Sequence, residues 1–112
     1  MKFIKKERFP KNSFTFGSSC EYWDLGNGFI ADVENYDDEE DVIHICLHNE
    51  NNICTLSPAE RGIKDEKFAR KIQEKIENIK IDYGIDAVYM ICSKNQLESV
   101  LTEIERHINN KC

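Results

Sequence analysis

The residues from Glu34 to Ser57 constrain the fold more than any other part of the sequence. Positions 37–41 are five consecutive acids, and packing them would carry a large desolvation cost, so we expect residues 35–41 to form an exposed loop. Residues 42–48 and 52–56 predict a β-hairpin around the polar turn NENN, with Ile43, Ile45 and Leu47 on one face. The segment Ser57-Pro58-Ala59-Glu60 has a capping serine, a proline at the first helical position and a glutamate, which predicts a helix start.

The residues before this segment also have the pattern of β-strands. Residues 20–25 and 29–34 flank Gly26-Asn27-Gly28, whose residues supply the positive φ of a tight hairpin turn. Alternation places Phe29, Ala31 and Val33 on one face of the second of these strands, which we expect to lie inside. Residues 13–17 alternate in the same way and predict a further strand, and the basic residues 1–11 predict an N-terminal arm or an edge strand.

Two helices and one strand are expected in the second half. The first helix is predicted over residues 65–82 and ends before Gly84, the strand over 87–92, and the second helix over 95–109. Each helix has an apolar stripe at three- and four-residue spacing. The first stripe is Phe68, Ile72, Ile76, Ile79 and Tyr83, and the second is Leu97, Val100, Leu101, Ile104 and Ile108.

These elements predict a single α+β domain over residues 1–112, with an α/β-like C-terminal half. We expect a mixed, mostly antiparallel sheet of five or six strands in the order β-β-β-β-β-α-β-α, with both helices packed mainly on one face. The connection from residues 52–56 through the first helix to 87–92 is expected to be parallel and right-handed. The opposite face would be partly open and would carry His44, Cys46 and His48.

The composition indicates a cytoplasmic protein. The mean hydropathy is −0.58, and no apolar run approaches the roughly 18 residues that span a bilayer. The N-terminal residues are basic but have no apolar stretch typical of a secretory signal. The five cysteines are odd in number and lack CxxC spacing, which favours free thiols in a reducing compartment.

The charge is unevenly distributed along the chain. Residues 1–11 carry a net charge of +4, residues 12–63 carry −10, and residues 64–112 are neutral. Phosphates would be repelled by the acidic half, so nucleic-acid binding through it is not expected. A field of one sign instead steers a basic partner.

The alternating row of His44, Cys46 and His48 has the residue types that bind zinc. Residues two apart on a strand are separated by about 6.6 Å, and residues four apart by about 13 Å. Zinc holds its ligands at about 2.0–2.3 Å, so all three from one strand would be stretched. No metal or other cofactor is therefore expected, and this row remains a weak alternative.

No motif in the sequence specifies a reaction. Cys20 follows Gly17-Ser18-Ser19, a predicted loop position at which a thiolate would be exposed as a nucleophile, but no basic neighbour activates it. Exposed acids in a polar loop keep ordinary pKa values and rarely catalyse. We therefore assign no catalytic residue and expect a binding protein. A small enzyme or metal-binding protein that uses Cys20 or the His44, Cys46 and His48 face is the alternative.

Aromatic residues lie close in sequence to the acidic run. Aromatic side chains supply buried anchors at protein interfaces, and carboxylates supply steering and ion pairs with Lys or Arg. The predicted partner-binding residues are Tyr22, Trp23, Asp24, Tyr36, Asp37, Asp38, Glu39, Glu40 and Asp41. The competing interpretation is a solvated loop that protects a sheet edge from aggregation.

The sequence thus predicts a small acidic module that inhibits a basic protein. An immunity or antitoxin-type protein that neutralises a nuclease-like toxin fits this prediction, as does an anti-defence inhibitor. The oligomeric state is not predicted.

Overall fold

The computed structural model describes residues 1–13, 16–49, 63–83 and 88–111. The strands are β1 (Lys2–Phe9), β2 (Ser18–Gly26), β3 (Phe29–Tyr36), β4 (Val42–Asn49), β5 (Lys80–Tyr83) and β6 (Val88–Ser93). The helices are α1 (Ile63–Lys75) and α2 (Leu97–Lys111), and short 3-10 turns span Asp37–Glu39 and Lys94–Gln96. Within these residues, neither helix has the length and apolar content needed to span a membrane.

The described strands form one open sheet in the order β1-β2-β3-β4-β6-β5, and all its pairings are antiparallel. The α+β class is confirmed. The exact order of elements differs from the prediction, because β4 is followed among the described elements by α1 and then by β5 and β6. The predicted strand at 52–56, and with it the start of the predicted parallel connection, lies outside the described residues. The strand where that connection was to end, β6, pairs antiparallel with β4, and His44 lies opposite Ile91.

The first helix is shorter than predicted. It ends at Lys75, and Lys80–Tyr83 pairs with β6 as an edge strand. Asn78 adopts a φ of 63°, a left-handed conformation that interrupts helical geometry, and the Gln73 side-chain amide donates to the Ile79 carbonyl over 2.9 Å. Ile79, Ile81 and Tyr83 recur with a period of two, whereas Ile76, Ile79 and Tyr83 have the three- and four-residue spacing of a helix, so the apolar pattern alone did not distinguish the two structures.

The strand predicted over 13–17 is also wrong where it is described, because Ser13, Phe16 and Gly17 lie outside any strand. The N-terminal residues provide the edge strand β1 instead. Its register places Lys2 opposite Asp24 and Lys6 opposite Glu21. Opposite charges across strands stabilise such a pair even where an apolar alternation is missing.

The hydrophobic core lies between one face of the sheet and the two helices. The predicted inner faces of β3 and β4 are confirmed, and the turn between β2 and β3 has positive φ at all three of its residues, Gly26, Asn27 and Gly28. Residues from both helices join the same buried cluster as the sheet residues. This cluster contains Leu25, Phe29, Ala31, Val33, Ile43, Ile45, Leu47, Ala69, Ile72, Ile79, Val88, Met90, Cys92, Val100, Leu101, Ile104 and Ile108.

Candidate functional site

The acidic residues 37–41 connect β3 to β4 and are all exposed; we call them the acidic turn. Its backbone is held in place by hydrogen bonds. The side-chain amide of Asn35 donates to the carbonyls of Glu39, Glu40 and Val42 over 3.4, 3.0 and 2.9 Å. The Lys94 N–H donates to the Asp41 carbonyl over 2.8 Å, which ties the turn to the end of β6. The predicted exposed loop is therefore an ordered turn.

The first acid of the turn is paired within the chain. Arg8 Nη1 donates to Asp37 Oδ1 over 2.6 Å, and Nη2 donates to Oδ2, so the contact is bidentate. These hydrogen bonds hold the pKa of Asp37 below its ordinary value of 3.8. The Asp37 N–H donates to the Gly17 carbonyl over 2.9 Å, and a Cβ at position 17 would collide with the Asp37 carboxylate.

The remaining acids of the turn have no lysine or arginine partner among the described residues. Among the described residues, Asp38, Glu40 and Asp41 have no basic side chain within ion-pair distance. Glu39 Oε1 lies 3.8 Å from His44 Nε2, and the Glu39 side chain is half exposed. Four carboxylates therefore face solvent on one ordered turn.

The predicted partner-binding residues do not form one patch. Asp24 lies at the opposite end of the β2–β3 hairpin, because it pairs with Ile30 whereas Ser18 pairs with Tyr36. Ser18 and Asp24 are six steps apart along the strand, a distance of about 20 Å. The Asp24 carboxylate accepts a hydrogen bond from the Gly26 N–H over 2.9 Å and thus stabilises the turn between β2 and β3.

The aromatic members of the predicted patch are also divided. Trp23 lies on the face that packs against the helices, where its ring contacts Phe3 edge-on at 5.2 Å. Tyr22 lies on the other face, below the Lys5 ammonium at 5.2 Å. Tyr22 and Trp23 lie on different faces because successive side chains of a strand alternate. Of the three aromatic residues only Tyr36 adjoins the acidic turn, since it directly precedes Asp37 whereas β2 leads away from the turn.

Tyr36 lines a groove of about 660 Å³ on one side of the acidic turn. Its hydroxyl donates to Glu34 Oε2 over 2.8 Å, and its ring meets His44 edge-on at 5.2 Å. The groove also contains Phe9 and Phe16, and Phe16 is 63% exposed. Sequence reasoning missed both residues, since they approach Tyr36 only through the pairing of β1 with β2 and of β2 with β3.

A second groove of about 630 Å³ lies on the other side of the acidic turn, and we call it the acidic groove. Its lining includes Glu39 and Asp41 from the turn, Val42 from β4 and Ile91 from β6. The connection from α1 to β5 contributes Asn78, and β5 contributes Lys80. Sequence reasoning identified the two acids but none of the other lining residues named here.

The His44, Cys46 and His48 row lies on the sheet face away from the core cluster, as predicted. Cys46 lies opposite Asp32 on β3, and His48 Nε2 is 2.5 Å from Asp32 Oδ2. Burial raises the pKa of the Cys46 thiol to about 12, and the residue is only 5% exposed. A zinc ligand must be a thiolate, which this burial disfavours. Among the described residues, no three potential ligands converge on a metal position.

Cys20 lies in a strand, as the prediction over residues 20–25 implies, and the exposed loop position assumed for a nucleophile is wrong. Cys20 is part of β2 and is 5% exposed. Burial raises the pKa of its thiol to about 11, so very little nucleophilic thiolate exists near neutral pH. The exposed loop position on which the nucleophile alternative depended is absent.

Comparison with known proteins returns no match to this chain among protein-family models, curated proteins or solved structures.

Proposed function

We propose that this chain is a small cytoplasmic protein-binding module that inhibits a basic partner through the acidic turn. The partner class that fits best is a basic protein with a nucleic-acid-binding cleft, such as a nuclease-like toxin. The chain would then act as an immunity or antitoxin-type protein, or as an anti-defence inhibitor.

The observation that carries this proposal is the ordered state of the acidic turn. A loop that only keeps a sheet edge in water does not require the amide of Asn35 on three carbonyls or a backbone bond to Lys94. Ordering a loop on binding costs free energy, and a turn that is already ordered avoids that cost. The backbone that carries the exposed carboxylates is thus already in place before a partner binds, which favours recognition over simple solvation.

The charge distribution supports the same proposal. The positive charges of β1 are partly neutralised within the chain, because Arg8 pairs with Asp37 and Lys5 Nζ lies 3.3 Å from Glu7 Oε1. The acids 38–41 have no comparable pairing with lysine or arginine among the described residues. A basic partner would therefore be steered toward the acidic turn.

The test compares two double variants of equal net charge. Asp38→Asn/Glu40→Gln removes two carboxylates from the acidic turn, and Asp82→Asn/Glu98→Gln removes two exposed carboxylates elsewhere. The unmodified chain is used to recover binding proteins from a lysate of the source cells, and these proteins are identified. Inhibition of their activity by the purified chain is then measured. We expect a basic partner whose binding weakens about tenfold at low salt in the first variant and stays within about twofold in the second.

The salt dependence of binding provides a second criterion. Loss of two steering carboxylates should reduce the slope of affinity against salt concentration, because fewer charges are screened. Equal affinity and equal slope for both variants would refute the acidic turn as the binding surface.

A further inference from the structure

We propose that the acidic groove receives an arginine side chain from an extended basic segment of the partner. This inference rests on the proposed function and specifies which part of the acidic turn makes the decisive contact. Glu39 and Asp41 line the same groove as Val42 and Ile91, two apolar residues that are partly exposed.

The groove has the two chemical surfaces that an arginine side chain requires. Its methylene stem covers apolar surface, here Val42 and Ile91, while its guanidinium stays polar. A planar guanidinium binds carboxylates through paired N–H donors, which a lysine ammonium does not match. Glu39 and Asp41, both exposed and both part of the lining, would supply these acceptors.

The charge of the lining favours a cation over an anion. Two carboxylates and one lysine, Lys80, line the acidic groove. The groove of Phe9, Phe16 and Tyr36, here called the aromatic groove, has Lys11 as its only charged lining residue among those described, and the adjacent Asp37 is neutralised by Arg8. A basic segment is therefore complementary to the acidic groove and not to the aromatic one.

The walls of the acidic groove are tied together before any partner binds. The Gln96 side-chain carbonyl accepts the Ser93 N–H over 3.0 Å, and its amide donates to the Glu77 carbonyl over 2.8 Å. The Lys94 N–H to Asp41 bond joins the same region to the acidic turn. Such a preformed groove reduces the entropic cost of receiving a long side chain.

The test titrates the full chain, labelled with nitrogen-15, with the peptide acetyl-Arg-Ala-Arg-Ala-Arg-amide. A matched peptide with citrulline in place of each arginine keeps the shape and removes the charge. We expect saturable shifts of the Val42, Ile91 and Ser93 amides with the arginine peptide and none with the citrulline peptide. Shifts confined to other parts of the chain, or equal shifts with both peptides, would overturn the proposal.

Two variants of equal charge separate the groove from the general field of the turn. Glu39 lines the acidic groove, whereas Glu40 is an exposed neighbour outside its lining. Glu39→Gln should weaken binding of the arginine peptide about three- to fivefold, and Glu40→Gln should weaken it by less than about twofold. Equal weakening by both would refute the groove and leave the acidic turn as the binding surface. Unchanged binding in Glu39→Gln, Glu40→Gln and Asp38→Asn/Glu40→Gln would contradict both proposals.

A lysine version of the peptide tests the choice of cation. Binding that is at least as tight with lysine would overturn the assignment to arginine. Tighter binding of the arginine peptide supports it, because only the guanidinium makes paired hydrogen bonds.

Discussion

At the scale of single residues, burial determines the chemistry of the cysteines. Cys20, Cys46 and Cys92 are each 4–5% exposed and lie in strands. Burial raises the pKa of their thiols to about 11, about 12 and about 11. At neutral pH these groups are protonated and behave as small apolar side chains.

The reactivity of these thiols can be measured in the variant Cys54→Ser/Cys112→Ser, which retains only the three buried cysteines. We expect modification by dithiobis(nitrobenzoate) at pH 8 to be slower in the folded protein than in guanidinium chloride by about 100-fold or more. The unfolded sample is the control for complete reaction. Rapid reaction of Cys20 in the folded state would restore the nucleophile alternative.

At the scale of elements, a buried carboxylate joins the two helices. Glu103 on α2 is 8% exposed, and its Oε1 lies 3.4 Å from Lys75 Nζ on α1. Arg106 Nη1 donates to Glu103 Oε2 over 2.8 Å, and His107 Nε2 lies 3.7 Å from Glu103 Oε1. Removing one member of a partly buried ionic network leaves the others without compensation.

Glu103→Gln is therefore expected to lower the free energy of unfolding by about 1–3 kcal/mol at pH 7. Urea denaturation measures this change. Glu98→Gln is the matched control, because Glu98 is exposed on the same helix, and its effect should stay within about 0.5 kcal/mol. If the two variants were equally stable, the network would not hold α1 against α2.

At the scale of the whole molecule, the opposite charges of the N-terminal and central parts of the sequence meet across the sheet. The basic strand β1 lies beside β2, and Arg8 reaches Asp37 in the acidic turn. The hydrogen bonds from Arg8 lower the pKa of Asp37 in the folded state. A lowered carboxyl pKa contributes stability above the unfolded-state pKa, and this stability disappears as pH falls through the folded-state pKa.

Asp37→Asn should consequently be less stable than the unmodified chain at pH 6, and the difference should shrink as the pH falls below the ordinary value of 3.8. Urea denaturation of both proteins at pH 6, pH 4 and pH 3 tests the sign of this dependence. Asp38→Asn serves as the control, since Asp38 has no basic partner among the described residues. A stability difference that grows toward low pH would contradict the role of the ion pair.

Features set by near neighbours in the chain were predictable from the sequence, and features set by distant residues were not. The inner faces of β3 and β4, the exposed position of the acidic run and the α+β class follow from patterns within a few neighbouring residues. Side-chain periodicity and desolvation cost act between near neighbours in the chain, so these features could be predicted without the tertiary structure.

The pairing of β6 with β4, the change from helix to strand at Lys80 and the burial of Cys20 depend on residues far apart in sequence. The candidate site has the same origin, because the acidic groove joins the acidic turn to β6 and to the α1–β5 connection. Two residues that are dozens of positions apart become neighbours only when the strands have paired in their final order and register. For that reason the positions of Ile91 beside the acidic turn and of Phe9 beside Tyr36 follow only from the folded structure.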